Sequence, residues 1–254
     1  MKDDPVVAFY DQLADVFHLV HADWPASVQR QGAQLAAIIR ERWPAHRVLD
    51  AACGVGTQAL GLAAEGFDVV ASDLASAALD RARREAAARG LTVNFVQADL
   101  RRLSAVHRPP FDVVLACDNS IPHLQTGAEI RQSLREMHAL LRPGGGCVLS
   151  VRDYGGVERS GAHMVPFGVR ATPEGRVAIF QVWDFVDAAH YDLSMVFVHD
   201  LDGAPRTQVF RTRYHAVLLS ELEDWLARAG FTAVERLLDR FYQPVLVGTK
   251  PEAP

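Results

Sequence analysis

The stretch Arg47-Val48-Leu49-Asp50-Ala51-Ala52-Cys53-Gly54-Val55-Gly56-Thr57 decides the fold. A short apolar run reads as a strand, two glycines as a turn, and the alanine- and leucine-rich residues to Glu65 as a helix closed by Gly66. Glycines here let the backbone approach a ligand closely, and the following helix presents unpaired N–H groups. Taken alone, the turn also fits a merely tight strand-to-helix connection.

The same grammar extends outward. Residues 67–71 read as a second strand ending at Ser72-Asp73, 76–89 as an amphipathic helix stopped by Gly90, and 93–96 as a third strand. A fourth strand at 111–116 and a helix at 130–141 follow. Pro143-Gly144-Gly145-Gly146 then turns the chain into a fifth strand at 147–151. Strands alternating with helices imply βαβ units, a parallel sheet and right-handed crossovers. On the N-terminal side, residues 8–42 read as helical with a break near Asp23-Trp24-Pro25, giving a helical cap over 1–45.

Beyond about residue 155 the helices stop. Segments 177–183, 190–198 and 208–217 read as successive strands with turns between them, including Asp202-Gly203, and form an antiparallel insertion over 155–219. Residues 220–228 return to helix with a capping box at Ser220 and Glu223, Gly230 ends it, and strands at 234–238 and 245–248 complete the sheet. The expectation is one α/β domain over 1–254. It is a Rossmann-like, doubly wound sheet with an antiparallel β insertion before the last helix and strands.

Bulk properties narrow the function. A chain of 254 residues, 49% apolar, buries an ample core without disulfides or structural metal. A net charge of -5 argues against a nucleic-acid partner, which needs a basic surface. Cys53, Cys117 and Cys147 lie in or beside apolar stretches and read as buried thiols; with no CxxC pair or His/Cys cluster, no metal site is expected. Neither a signal peptide nor an apolar run near the roughly 20 residues of a bilayer span is visible, so no membrane is expected and the cytoplasm is the expected compartment.

The chemistry gathers at strand ends. Asp73, with Leu74 beside it, closes the second strand, where a carboxylate accepts hydrogen bonds from both ribose hydroxyls of a nucleoside. Gln97-Ala98-Asp99-Leu100 follows the third strand, where Asp99 suits an adenine amino group and Leu100 its ring; for Asp99 a loop cap is an equal reading. The glycine turn and Asp73 are shared with nicotinamide enzymes, so these two elements do not choose the cofactor.

The whole pattern resembles class I S-adenosylmethionine-dependent methyltransferases over roughly residues 40–153 and the C-terminal strands. Its carriers are residues 48–57, Asp73, Asp99, Phe111-Asp112-Val113-Val114 and Leu141-Arg142-Pro143-Gly144-Gly145-Gly146. The family's first loop glycine is Ala52 here, small enough to leave room for the methionine part of the cofactor. The resemblance implies S-adenosyl-L-methionine held by Trp24, Arg30, Ala52, Gly54, Gly56, Asp73, Leu74, Asp99 and Leu100.

A narrower resemblance reaches the glycine and sarcosine N-methyltransferases. It is carried by Tyr10-Asp11-Gln12-Leu13-Ala14, Asp23-Trp24 and Arg30, by Asn119-Ser120-Ile121-Pro122-His123-Leu124, and by Arg152-Asp153-Tyr154. Phe210-Arg211-Thr212-Arg213-Tyr214 and Phe241-Tyr242-Gln243-Pro244 add to it. It implies that Arg30 pairs with the cofactor carboxylate, Ser27 aligning there under another register, and that Arg152 pairs with the carboxylate of a small amine. A guanidinium fork suits that task better than an ammonium. Salt bridges to Asp153 or Glu158 are the bland alternative for Arg152. Asn119, His123 and Tyr214 are the catalytic candidates, His123 as an acceptor of the amine proton or as a bonded loop histidine. Tyr10, Arg152 and Tyr242 are the acceptor-binding candidates, with Arg211 and Tyr214 expected to govern acceptor choice. Other readings are methylation of another metabolite at O, N or C, a nicotinamide-dependent oxidoreductase, and a non-enzymatic cofactor-binding module.

Overall fold

The computed structural model describes residues 4–200 and 205–253; the expected turn at Asp202-Gly203 and the first three residues lie outside the described residues. Helices α1 (Pro5–Leu13) and α2 (Trp24–Arg42) flank a short 3-10 turn at Phe17–Val20. The alternating core follows as β1 (Arg47–Asp50), α3 (Thr57–Ala64), β2 (Asp68–Asp73), α4 (Ser76–Ala88), β3 (Asn94–Gln97), β4 (Phe111–Ala116), α5 (Gly127–Leu140) and β5 (Leu141–Ser150). Four strands without helices come next: β6 (Ala162–Thr172), β7 (Gly175–Phe185), β8 (His190–Asp200) and β9 (Arg206–His215). Helix α6 (Leu219–Arg228), β10 (Thr232–Leu237) and β11 (Val245–Thr249) close the chain.

The main sheet has seven strands in the order β10-β11-β5-β4-β1-β2-β3, with β1 to β5 parallel and β10 and β11 antiparallel. Period-two alternation splits the buried residues between its faces. Val48, Val113, Leu115 and Val148 join Leu35, Ile38 and Ile39 of α2 on one face. Leu49, Val114 and Leu149 join α5 and the inner face of the second sheet on the other. The neighbouring strands β1 and β4 lead to opposite ends of the sheet, so their C-terminal ends form the crevice where open α/β sheets bind ligands.

Three elements differ from the sequence reading. The second sheet has four antiparallel strands, β6-β7-β8-β9; β6 was not expected. Strand β5 starts at Leu141, the glycine run forming an irregularity between the Phe111↔Leu141 and Val113↔Gly146 pairs. At α6 the expected Ser220–Glu223 box does not form. Glu221 reaches back to the Leu218 N–H (3.0 Å), while Glu223 binds Arg236 (2.8 Å). The expected N-terminal cap also divides by role. Asp4, Val6, Tyr10, Ala14 and Phe17 cover a cleft at the sheet end, whereas α2 is a full layer of the core.

Among the described residues no helix is long and apolar enough to cross a membrane, and no group of three or more His, Cys, Asp or Glu is arranged to hold a metal.

Candidate active site

Two cavities open at the C-terminal end of the parallel strands. The first is lined by the loops after β1, β2, β3 and β4 and by the N-terminal segment. The loop after β1 forms its floor: Gly54 takes φ +51°, and a Cβ built there would meet nothing within 4 Å, so the backbone borders open space. Gly56 does a different job. At φ +93° it starts α3, and a Cβ there would crowd Ala82 and Leu60, so its place is in the packing beneath the loop.

Asp73 ties two loops of this cleft together. Its carboxylate accepts from the Gly54 N–H (2.7 Å) and the Ala75 N–H (2.9 Å), and burial raises its pKa despite those bonds. Ala52, Gly54, Asp73, Leu74, Asp99 and Leu100 all line the cleft. Asp99 is also engaged elsewhere: burial opposes its ionisation, but a forked bond from Arg101 holds its pKa below the usual carboxylate range. Its Oδ1 also accepts from the Arg101 N–H (2.8 Å), the loop cap that was one of its two expected readings, while it lines the cleft.

Two expected cofactor residues lie elsewhere. Trp24 is buried and donates from its indole N–H to Thr57 Oγ1 (3.0 Å), steadying the start of α3 from behind the cleft. Arg30 is exposed, bonds Ser27 Oγ (3.1 Å) and borders the second cavity, not the first.

The second cavity lies between the loop after β4, the N-terminal segment and the inner face of the four-stranded sheet. All five tyrosines of the chain gather there: Tyr10, Tyr191, Tyr214 and Tyr242 line it, and Tyr154 stands behind. Tyr214 stacks on Tyr191 at 5.5 Å with 9° between the rings, and Tyr191 shares a hydrogen bond with Tyr154 (2.9 Å). Arg152 enters from the end of β5 with its guanidinium 4.4 Å above the Trp183 ring. Among the described residues it makes no ion pair, so the alternative bridges to Asp153 and Glu158 are absent.

The loop after β4 is built under constraint. Asp118 and Asn119 take φ values of +56° and +63°, the left-handed region that aspartate and asparagine adopt more readily than other residues with a side chain. The Asp118 N–H donates to Ser150 Oγ (2.8 Å) and the Asn119 N–H to the Ser150 carbonyl (3.0 Å), locking β4 to β5. Asn119 Oδ1 accepts from the Arg152 N–H (3.0 Å) and its amide donates to the Tyr154 hydroxyl (2.9 Å). Asn119 thus positions Arg152 and Tyr154.

His123 is buried, with Nε2 2.7 Å from the Tyr10 hydroxyl and no partner for Nδ1 among the described residues. Desolvation lowers its pKa to about 3, so it stays neutral at physiological pH and is a weak base. Proton uptake by His123, one of its two expected roles, is corrected here: burial disfavours the imidazolium. Arg211 is corrected too. Alternation along β9 buries Tyr214 and turns Arg211 to the solvent face, away from the cavity.

Sequence reasoning missed Asp118, Tyr191 and Trp183. Asp118 had one signal, a polar residue directly closing an apolar strand at the ligand-binding edge. Tyr191 begins the inward-facing alternation Tyr191, Leu193, Met195, Phe197.

A family profile described as a methyltransferase domain matches residues 48–145. The chain is 30% identical over 202 residues to the glycine/sarcosine N-methyltransferase of Halorhodospira halochloris, covering 76% of this chain and 73% of that protein. It is 27% identical over 245 residues to the glycine N-methyltransferase of Mus musculus, covering 87% and 82%. The fold matches the CcbJ methyltransferase from Streptomyces caelestis with a TM-score of 0.79 at 22% identity, over 96% of this chain and 98% of that one.

Proposed function

Because this chain belongs to the S-adenosylmethionine-dependent methyltransferases, we propose that it methylates the nitrogen of a small carboxylate-bearing amine, glycine and sarcosine first among them. The cofactor reading rests on the donor set of the first cavity. Asp73 would take the ribose hydroxyls, Leu74 and Leu100 would flank the adenine, and the open backbone at Gly54 leaves space beside them. When bound, S-adenosylmethionine supplies a methyl group activated by a positive sulfur.

One observation carries the acceptor reading: Arg152 sits over Trp183 with no ion pair among the described residues, facing a tyrosine-lined cavity that adjoins the cofactor cleft. A guanidinium in a half-buried chamber without a carboxylate hydrogen-bonded to it is costly, and a ligand carboxylate relieves that cost through two parallel bonds. The ring beneath Arg152 and the Asn119 bond to its backbone fix the fork before the ligand arrives, which favours binding by pre-organisation. The buried tyrosines exclude water and orient the amine nitrogen toward the cleft; burial raises the pKa of Tyr191 and Tyr214, so their phenols remain neutral and their oxygens accept N–H bonds from the amine.

The test compares wild type and Arg152→Lys on glycine and on a matched amine without a carboxylate, at one ionic strength. The lysine keeps the charge and loses the planar fork. Catalytic efficiency on glycine should fall about tenfold or more, the carboxylate-free amine should change far less, and cofactor affinity should move by less than about twofold. Equal sensitivity of both acceptors would remove Arg152 as the acid anchor.

A further inference from the structure

The cofactor cleft and the acceptor chamber share three lining residues: Tyr10, Phe17 and Asp118. A group passing from one ligand to the other must cross between them. Asp118 is the only carboxylate of the three, and its placement is enforced. Its backbone is held at φ +56° by the bond to Ser150, and its Oδ1 accepts from the Tyr242 hydroxyl. Oδ2 has no hydrogen-bond partner among the described residues. Arg152 lies near enough to influence its charge, yet the two form no ion pair.

We propose that Asp118 is the amine-binding residue of the acceptor site, its Oδ2 accepting an N–H from the ligand ammonium while Arg152 holds the ligand acid. This rests on the reading of the acceptor as a carboxylate-bearing amine and adds the residue that selects the amine. Asp118 and Arg152, which line the chamber without pairing with each other, are together complementary to a zwitterion, which supplies each with an opposite charge. The placement of Asp118 at the junction of the two cavities is fixed by Ser150 through its backbone and by Tyr242 through its side chain. Burial also raises the Asp118 pKa to about 6, which leaves the group ionised at pH 8, where the test is set.

The experiment titrates glycine, and glycolate as the same acid with a hydroxyl in place of the amine, into protein saturated with S-adenosylhomocysteine at pH 8. It uses wild type, Asp118→Asn and Tyr242→Phe. Asparagine keeps the shape and tolerates the left-handed backbone, so it removes only the charge. Asp118→Asn should weaken glycine about tenfold or more and glycolate by less than about twofold; Tyr242→Phe, which leaves the carboxylate in place, should weaken glycine less. Equal losses for glycine and glycolate would overturn the proposal in favour of a structural role. So would a loss of S-adenosylmethionine affinity without a matching loss for S-adenosylhomocysteine, which would assign the charge to the sulfonium. Normal wild-type glycine binding with an unaffected variant removes Asp118 alone. If the wild type neither binds nor methylates glycine or sarcosine, the amine reading falls and this proposal with it.

Discussion

Asp50 is 1% exposed and its carboxylate oxygens make no close hydrogen bond among the described residues, the Ala52 and Ala59 N–H groups offsetting its burial only in part. Desolvation raises its pKa from 3.8 to about 8, so the folded protein keeps a proton there that the unfolded chain releases near pH 4. The unfolded state then binds fewer protons, and stability falls as pH rises through that window. Asp50→Asn abolishes this term. Thermal melts from pH 4 to pH 8 should show a wild-type melting temperature that declines more steeply than the variant's, whatever constant offset the amide brings; parallel curves would mean that Asp50 ionises normally. The sequence pointed to this loop, to Asp73 and to Arg152 because strand ends and glycine turns leave local signals. It did not point to Asp118 as a site residue. The importance of Asp118 comes from two cavities meeting there, and the N-terminal segment and the second sheet are brought to it only by tertiary folding.

At the scale of elements, α2 and α3 cross with their backbones in close contact at Gly32 and Gly61. A Cβ on Gly61 would lie 2.5 Å from the Val28 carbonyl oxygen, and one on Gly32 2.5 Å from the Gly61 backbone. Gly61→Ala should therefore destabilise the fold by roughly 1–3 kcal/mol. It should also loosen cofactor binding, because α2 carries the Trp24 bond to Thr57 at the start of α3. Denaturant unfolding and cofactor titration check both parts; unchanged stability would mean that the helices separate at little cost. The βα alternation was legible because apolar period and glycine stops agree along β1 to β5. Strand β6 was not, since Pro166 and Gly168 interrupt it and its pairing is supplied only by β7 at the sheet edge. The misplaced capping box at α6 has a similar cause. Serine three residues before glutamate occurs at 220 and 223, but the fold spends Glu223 on Arg236 of β10.

At the scale of the whole molecule, the two sheets border different cavities. The parallel sheet and its loops line the first, proposed for the cofactor, and the antiparallel sheet turns Gln181, Tyr191, Leu193, Met195 and Tyr214 into the second, proposed for the acceptor. Acceptor choice should follow the second sheet. Tyr214→Phe and Met195→Ala should change acceptor kinetics while cofactor affinity stays within about twofold, and equal losses for both ligands would point to a shared packing role. The central claim is a methyl transfer from S-adenosylmethionine to the nitrogen of a small carboxylate-bearing amine. Its most direct test offers the wild-type protein S-adenosylmethionine with a labelled methyl group and a panel of small amines, phenols and carboxylates, with products read by mass. The account predicts label on the nitrogen of glycine or sarcosine, with carboxylate-free amines well behind. Label on phenols alone, or on amines regardless of a carboxylate, would contradict it.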